Sequence, residues 1–326
     1  MTTATTSCTT ADLDGPFSWV DHGGPPGAPV VVAVHGLGGS HANWHDLAPL
    51  LAREHRVLAV DLAGHGRTPR AGRSASVRAN CELLGRFVTE VVGEPVVLLG
   101  NSMGAAISVL RAAAAPEQVR GLALIGPALP RARTAVPGRA HAKQVALFAV
   151  PGVAERSLAR RRTRLGAEAF VQATLDLTCV DASLVSPEVR RLAVQLNEER
   201  ANGPDAEQAF LEAARSLAVL VSRSTAYRGL LASVRAPGIV LQGRQDRLVP
   251  VSGVAQLATL QPDWTLHLLD GVGHVPQIEA PQRTADLLLP WLSALPTASH
   301  SLAPLHLEPA TDLTSAGPTD LLAGAS

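Results

Sequence analysis

The stretch Val96-Val97-Leu98-Leu99-Gly100-Asn101-Ser102-Met103-Gly104-Ala105-Ala106 decides how the rest of this chain is read. An apolar run of β type ends in Gly-x-Ser-x-Gly, and an alanine-rich helical stretch follows at once. A strand that turns straight into a helix needs a backbone tight enough to lift the serine hydroxyl clear of its neighbours. Such a turn leaves no room for a Cβ at Gly100 or Gly104. Small Ala105 and Ala106 let the helix pack close to the sheet. The helix N-terminus aims free N–H groups and partial positive charge at the place where an oxyanion would form. The bare pentapeptide occurs often by chance; between a strand and a helix it predicts a nucleophile elbow.

Outward from the elbow, the chain alternates between strand and helix. Val30–Val34 and residues 57–60, 96–99 and 122–125 are short apolar runs, and helical patterns cover about 46–54, 77–92 and Met103–Ala114. Short buried strands separated by helices predict an α/β fold with a mostly parallel central sheet flanked by helices, and a site at the carboxyl ends of the strands. The alternation stops near Pro127, and from about 129 to 230 the chain reads as helices only. Pro187 and Pro204 stand near two helix starts, and Asp205 is a candidate N-cap for the run to Ser222. Strand patterns resume at 239–242 and 265–268. The expected plan is a flexible Thr-rich segment over 1–15, a core from 16–129 and 230–296, a helical cap over 130–229, and a disordered tail over 297–326.

Composition narrows the class. With 326 residues and 46% hydrophobic composition, the chain can bury a substantial core. Its 28 basic and 28 acidic residues cancel, which removes the electrostatic case for a nucleic acid or an anionic membrane as partner. Cys8, Cys81 and Cys179 form neither metal-ligand spacing nor a disulfide framework. No secretory signal is readable at the N-terminus, no apolar segment is long enough for membrane insertion, and the expected location is cytoplasmic. The expected partner is a small-molecule substrate, with no cofactor and no metal; oligomeric state is not readable.

A serine hydroxyl is a poor nucleophile until a base removes its proton, and the base needs an acid to orient it. Gly238-Ile239-Val240-Leu241-Gln242-Gly243-Arg244-Gln245-Asp246 places an acid across a short turn from a strand. Leu268-Leu269-Asp270-Gly271-Val272-Gly273-His274-Val275-Pro276 places a histidine in a Gly-rich loop after the last strand. The order Ser102, Asp246, His274 suits this topology. Asp270 and Asp263 are the competing acids. His22, His41, His45, His141, His267, His300 and His306 lack comparable context and read as surface or local hydrogen-bonding groups. Oxyanion donors come from His35-Gly36-Leu37-Gly38-Gly39 after the first buried strand, pairing the N–H of Leu37 with that of Met103. His35, Asp61 and His65 read as loop-fixing residues. Gly36, Asn101 and Val275 are the candidate pocket residues. Gly36-Leu37-Gly38-Gly39 is a poor dinucleotide loop, because its third glycine is misplaced.

In the predicted cap, Arg131, Arg133, Arg139, Arg156, Arg160–Arg162 and Arg164 crowd the first third, and most acids lie in the second half. Solvated faces and ion pairs within the cap are the plainer reading, and a pocket arginine facing a substrate carboxylate is the sharper one. Two aliphatic stripes (Val145, Leu147, Phe148, Val150; Phe170, Val171, Leu175, Leu177) read as core or as pocket wall.

With these residues in hand the chain resembles the α/β-hydrolase superfamily over about 17–129 and 230–295. The carrying set is His35-Gly36, Asp61-x-x-Gly64-His65-Gly66, Gly100-x-Ser102-x-Gly104, Gly243-x-x-Asp246 and Gly273-His274, in that order. The resemblance implies acyl transfer to water through a Ser102 ester without a cofactor. Serine at the elbow argues against haloalkane dehalogenases and epoxide hydrolases, which use a carboxylate nucleophile. A carboxylic-ester hydrolase is the first expectation. The elbow Gly100-Asn101-Ser102-Met103-Gly104 is also similar to that of meta-cleavage-product hydrolases, which break a carbon–carbon bond, although Val275 stands where that family typically has tryptophan. Minor alternatives are an elimination catalyst on the same fold, an interfacial lipase, and a non-catalytic hydrolase-like ligand receptor.

Overall fold

The computed structural model describes residues 8–130, 153–201 and 205–296. Eight strands form one sheet: β1 (Cys8–Asp12), β2 (Pro16–Asp21), β3 (Val30–Val34), β4 (Arg56–Val60), β5 (Val96–Asn101), β6 (Val119–Ile125), β7 (Gly238–Gly243) and β8 (Thr265–Leu269). Their order is β1-β2-β4-β3-β5-β6-β7-β8, antiparallel for β1/β2 and β2/β4 and parallel across the rest. Every residue of β3 and β5 is buried, as expected where helices cover both faces.

The described helices, in chain order, are α1 (Ala48–Leu51), α2 (Val77–Arg86), α3 (Met103–Ala114), α4 (Val153–Thr178), α5 (Pro187–Ala201), α6 (Ala206–Ser222), α7 (Ser224–Ser233), α8 (Val251–Leu260), α9 (Pro276–Glu279) and α10 (Pro281–Ser293). One apolar layer joins α1 and α10 to the sheet through Leu47, Leu51, Leu288 and Leu292. The other joins α2, α3, α7 and α8 through Leu84, Ile107, Tyr227 and Leu257. Each fully buried Leu or Val contributes about 1.5–3 kcal/mol, so these layers fix the sheet before any polar group matters. Helices α4 to α7 are inserted between β6 and β7, and α4 is bent at Gly166, whose φ is 76°. No helix among the described residues is long and apolar enough to cross a membrane.

The chain leaves β3 toward β4 on one side and leaves β5 toward β6 on the other. The loops after β3 and β5 therefore part at a topological switch point, which opens a crevice at the strand ends. The Leu37 loop and Ser102 both lie there.

Several expectations need correction. Residues 8–12 are not loose: Cys8–Asp12 is an edge strand in register from Cys8↔Val20 to Asp12↔Pro16. Its side chains are mostly solvent-facing, so no apolar alternation announces it, and backbone pairing with β2 supplies the order. The helix expected over 46–54 shrinks to the single turn α1, preceded by a 3₁₀ turn at His41–Trp44. The helix over 77–92 changes from α to a π turn at Phe87–Val92. Asp205 holds the N-cap position of α6 without a side-chain capping bond. Arg131, Arg133, Arg139, His141, the stripe Val145 to Val150, Pro204, His300, His306 and the tail 297–326 lie outside the described residues.

Candidate active site

β5 delivers Ser102 and α3 begins at the next residue. Ser102 has φ 52° and ψ −111°, a backbone state that costs a residue with a Cβ about 1–3 kcal/mol. Neighbouring bonds hold it there. Its N–H donates to the Ile125 carbonyl at 3.0 Å, and its carbonyl accepts from the N–H groups of Ala106 and Ala128 at 3.2 and 3.3 Å. A Cβ on Gly104 would stand 2.1 Å from the Val34 carbonyl oxygen, so only glycine lets α3 cross β3 this closely.

Asp246 and His274 come from the loops beyond β7 and β8. The Asp246 side chain is fully shielded from solvent, and His274 Nδ1 meets its Oδ2 at 2.7 Å. Gln242 Nε2 donates to the same oxygen at 2.8 Å, and the N–H groups of Leu248 and Val249 donate to Oδ1 at 2.7 and 2.9 Å. Burial alone would push this carboxyl up. The bonds from His274 and from the Val249 and Leu248 backbone outweigh burial and hold Asp246 below the ordinary carboxylate range. An ionised Asp246 commits the Nδ1 proton of His274 and leaves Nε2 as the basic nitrogen. Neither competing acid is placed at the ring: Asp270 pairs with Arg244 at 2.5 Å, and Asp263 is exposed.

The Leu37 loop is braced from beneath. His35 Nε2 accepts the N–H of Leu62 at 3.1 Å, which places the ring proton on Nδ1, and Nδ1 donates to the Gly36 carbonyl at 2.7 Å. Burial pushes His35 down to about 4, so the ring is neutral and suited to accept. Buried Asp61 accepts from the N–H and Nδ1 of His41 at 2.7 and 2.8 Å and from the N–H of Arg67 at 2.8 Å. His65 Nδ1 bonds to the Ala63 carbonyl at 3.1 Å. These three residues fix loops. Neither Leu37 N–H nor Met103 N–H meets an acceptor among the described residues.

Ser102 and His274 share the wall of a cavity of about 740 Å³ with Gly36, Leu37, Asn101 and Val275. The Met103 side chain is packed in the core, so only its backbone N–H is relevant here. From the insert, the stripe Phe170, Val171, Leu175 and Leu177 forms part of the cavity wall. Asn101 does more than line the wall: its amide donates to the carbonyls of Ile125 at 3.0 Å and His274 at 3.3 Å, tying the elbow to the histidine loop. Among the described residues, no three His, Cys, Asp or Glu side chains cluster as metal ligands.

Two supporting residues had no signal in the sequence pattern. Gln242 is one of the donors that hold Asp246. Buried Glu279 is the other: it accepts from the N–H of Gly273 at 2.7 Å and from those of Val180 and Asp181 at 2.6 and 2.8 Å. Together with the bond from His274 N–H to the Thr178 carbonyl at 2.6 Å, it fastens the histidine loop to the insert.

A family model for the alpha/beta hydrolase fold matches residues 29–281, and the chain belongs to that family. It is 31% identical over 262 residues to a pimeloyl-[acyl-carrier protein] methyl ester esterase of Methylococcus capsulatus, covering 80% of this chain and 93% of that protein. It is 30% identical over 258 residues to a 2-hydroxy-6-oxo-2,4-heptadienoate hydrolase of Pseudomonas putida, covering 76% and 83%. The crystal structure of haloalkane dehalogenase DbeA from Bradyrhizobium elkani superposes with a TM-score of 0.74 at 23% identity, over 88% of this chain and 97% of that one. That likeness is one of fold.

Proposed function

We propose that the chain is a serine hydrolase that cleaves a small-to-medium carboxylic ester through a Ser102 acyl-enzyme, with Ser102, His274 and Asp246 as catalytic triad. The observation that carries this reading is the buried 2.7 Å bond between His274 and Asp246 beside a cavity whose wall also holds Ser102. His274 Nε2 takes the Ser102 hydroxyl proton as Oγ attacks the ester carbonyl. The N–H groups of Leu37 and Met103 receive the negative charge that develops on the carbonyl oxygen, each worth about 3 kcal/mol at the transition state. Collapse breaks the ester bond, and His274 gives its proton to the departing alcohol. Water then attacks the acyl group with the same base, releasing a carboxylic acid and restoring Ser102. Gly36, Asn101 and Val275 contribute pocket wall. The helices within 130–229 act as a cap over a core of 16–129 and 230–296, and the three unpaired cysteines fit action in the cytoplasm.

The esterase relative supports this reading. Turnover of a series of nitrophenyl esters by wild type and Ser102→Ala tests it. A loss of at least about 10⁴-fold in kcat/KM is expected, and undiminished turnover by the variant would sink it. Covalent labelling of folded protein at Ser102 by a fluorophosphonate separates an enzyme from a ligand receptor.

A second reading, carbon–carbon hydrolysis, is favoured by the heptadienoate hydrolase relative and by Asn101 beside the serine. It uses the same triad. Mixing the protein with a ring-fission dienone and following its visible absorbance decides between them: loss of colour selects carbon–carbon cleavage.

A further inference from the structure

Arg200, at the end of α5, lines the cavity together with Asn197 three residues before it. Its Nε is buried and has no hydrogen-bond partner among the described residues. The acids nearby are already engaged. Glu199 receives Arg67 through both carboxylate oxygens at 3.0 Å, and Glu207 pairs with Arg162 at 3.0 Å. Asp61 is taken by His41 and Arg67. Residues 131–152, which join β6 to the insert, contain Arg131, Arg133, Arg139 and Lys143 and no Asp or Glu.

Burial, with the nearby Arg162 charge, pushes Arg200 down to about 10, so the guanidinium is still charged at neutral pH. A cation held in a poorly solvated wall without a counter-ion is unfavourable unless something outside the chain supplies the anion. A guanidinium presents parallel N–H donors that match a carboxylate in two-pronged fashion. Apolar Phe170, Leu196 and Leu217 line the same cavity and suit an aliphatic chain carrying that anion.

We propose that Arg200 is an anion subsite for a second carboxylate carried by the acyl part of the substrate, so that the preferred ester is a hemiester of a dicarboxylic acid. The substrate class rests on the Ser102 hydrolase reading; the subsite itself does not.

The test compares 4-nitrophenyl hemiesters of adipic, pimelic and suberic acid with the hexanoate, heptanoate and octanoate esters, in wild type, Arg200→Met and Arg200→Lys. In wild type, at one or more chain lengths, the anionic ester exceeds its neutral counterpart at least about tenfold in kcat/KM. Arg200→Met lowers that ratio at least about tenfold, and Arg200→Lys restores part of it. A wild-type ratio of one or below at every length, or a ratio unchanged by Arg200→Met, overturns the proposal. Thermal melting supplies a second readout. Removing an unpaired buried cation raises the Tm, whereas a lower Tm in Arg200→Met assigns the side chain to the fold and overturns the subsite. Calorimetric titration of adipate, pimelate and suberate into Ser102→Ala reads the subsite without catalysis. Binding that is lost in Ser102→Ala/Arg200→Met upholds the subsite even if Ser102→Ala turned esters over like wild type, the result that removes the serine reading. Absence of binding for all three dicarboxylates overturns the subsite.

Discussion

The Asp246–His274 pair on the core side of the cavity and Arg200 on its insert side are held in opposite ways. On the core side, Asp246 receives four hydrogen bonds and His274 is held through its ring, its N–H and its carbonyl. On the insert side, apolar residues dominate the wall, and Arg200 Nε has no partner among the described residues. Under the proposed function the difference follows from what each side has to do. Groups that move a proton must stay in one geometry, and complete hydrogen bonding holds them there. Groups that meet a ligand can stand without a partner from the protein until the ligand arrives.

Breaking the Asp246–His274 contact has the largest expected effect. Asp246→Asn keeps the size of the side chain and can still accept from Leu248 and Val249, but its amide cannot hold the His274 ring in the same tautomer. A loss of about 10³–10⁴-fold in kcat is expected from steady-state ester hydrolysis. A variant within tenfold of wild type would mean that this contact does not orient the base.

A smaller effect appears with pH. Folded His35 titrates near 4, below the ordinary value of 6.5. Between those values the unfolded chain binds a proton at this position that the folded chain refuses. Stability is therefore complete above about 6.5 and falls as the pH drops toward 4, by up to roughly 3 kcal/mol from this residue. Buried His65 works in the same direction. Denaturant titrations at pH 7, 5.5 and 4.5 read the slope, and His35→Asn flattens it; an unchanged slope in the variant excludes His35 as its source.

Glu279→Gln tests the seam between the two sides. A carboxylate accepting three backbone N–H bonds becomes an amide whose NH₂ faces donors, at a cost of about 1–3 kcal/mol in denaturant unfolding. Because one of those bonds holds Gly273, kcat should fall with stability. If stability drops while kcat and its pH profile stay unchanged, the seam supports the fold without setting His274.

The elbow, the acid and the histidine were legible because their signals are local. Glycines at 100 and 104, an acid one turn beyond a strand and a histidine in a Gly-rich loop each state a backbone requirement within a few residues. β1 escaped because an exposed edge strand is ordered by its partner and not by its own periodicity. Gln242, Glu279 and Arg200 escaped for a related reason. Glu279 meets Val180 and Asp181 from 99 and 98 positions away, and no pattern within either segment records the meeting.

Sequence alone therefore determined the alternation of strands and helices, the glycine-permitted turn at Ser102, and the serine, acid and histidine on which the proposed acyl transfer rests. These depend on steric and periodic rules that act over a handful of residues. The tertiary structure brought Asp246, which the sequence favoured over Asp270, to 2.7 Å from the His274 ring. It also decided that Glu279 clasps two distant segments and that Arg200 makes no ion pair among the described residues beside an apolar cavity. Those outcomes turn on which donors remain unpaired once the layers have packed, a property of the whole fold that no single stretch of chain carries.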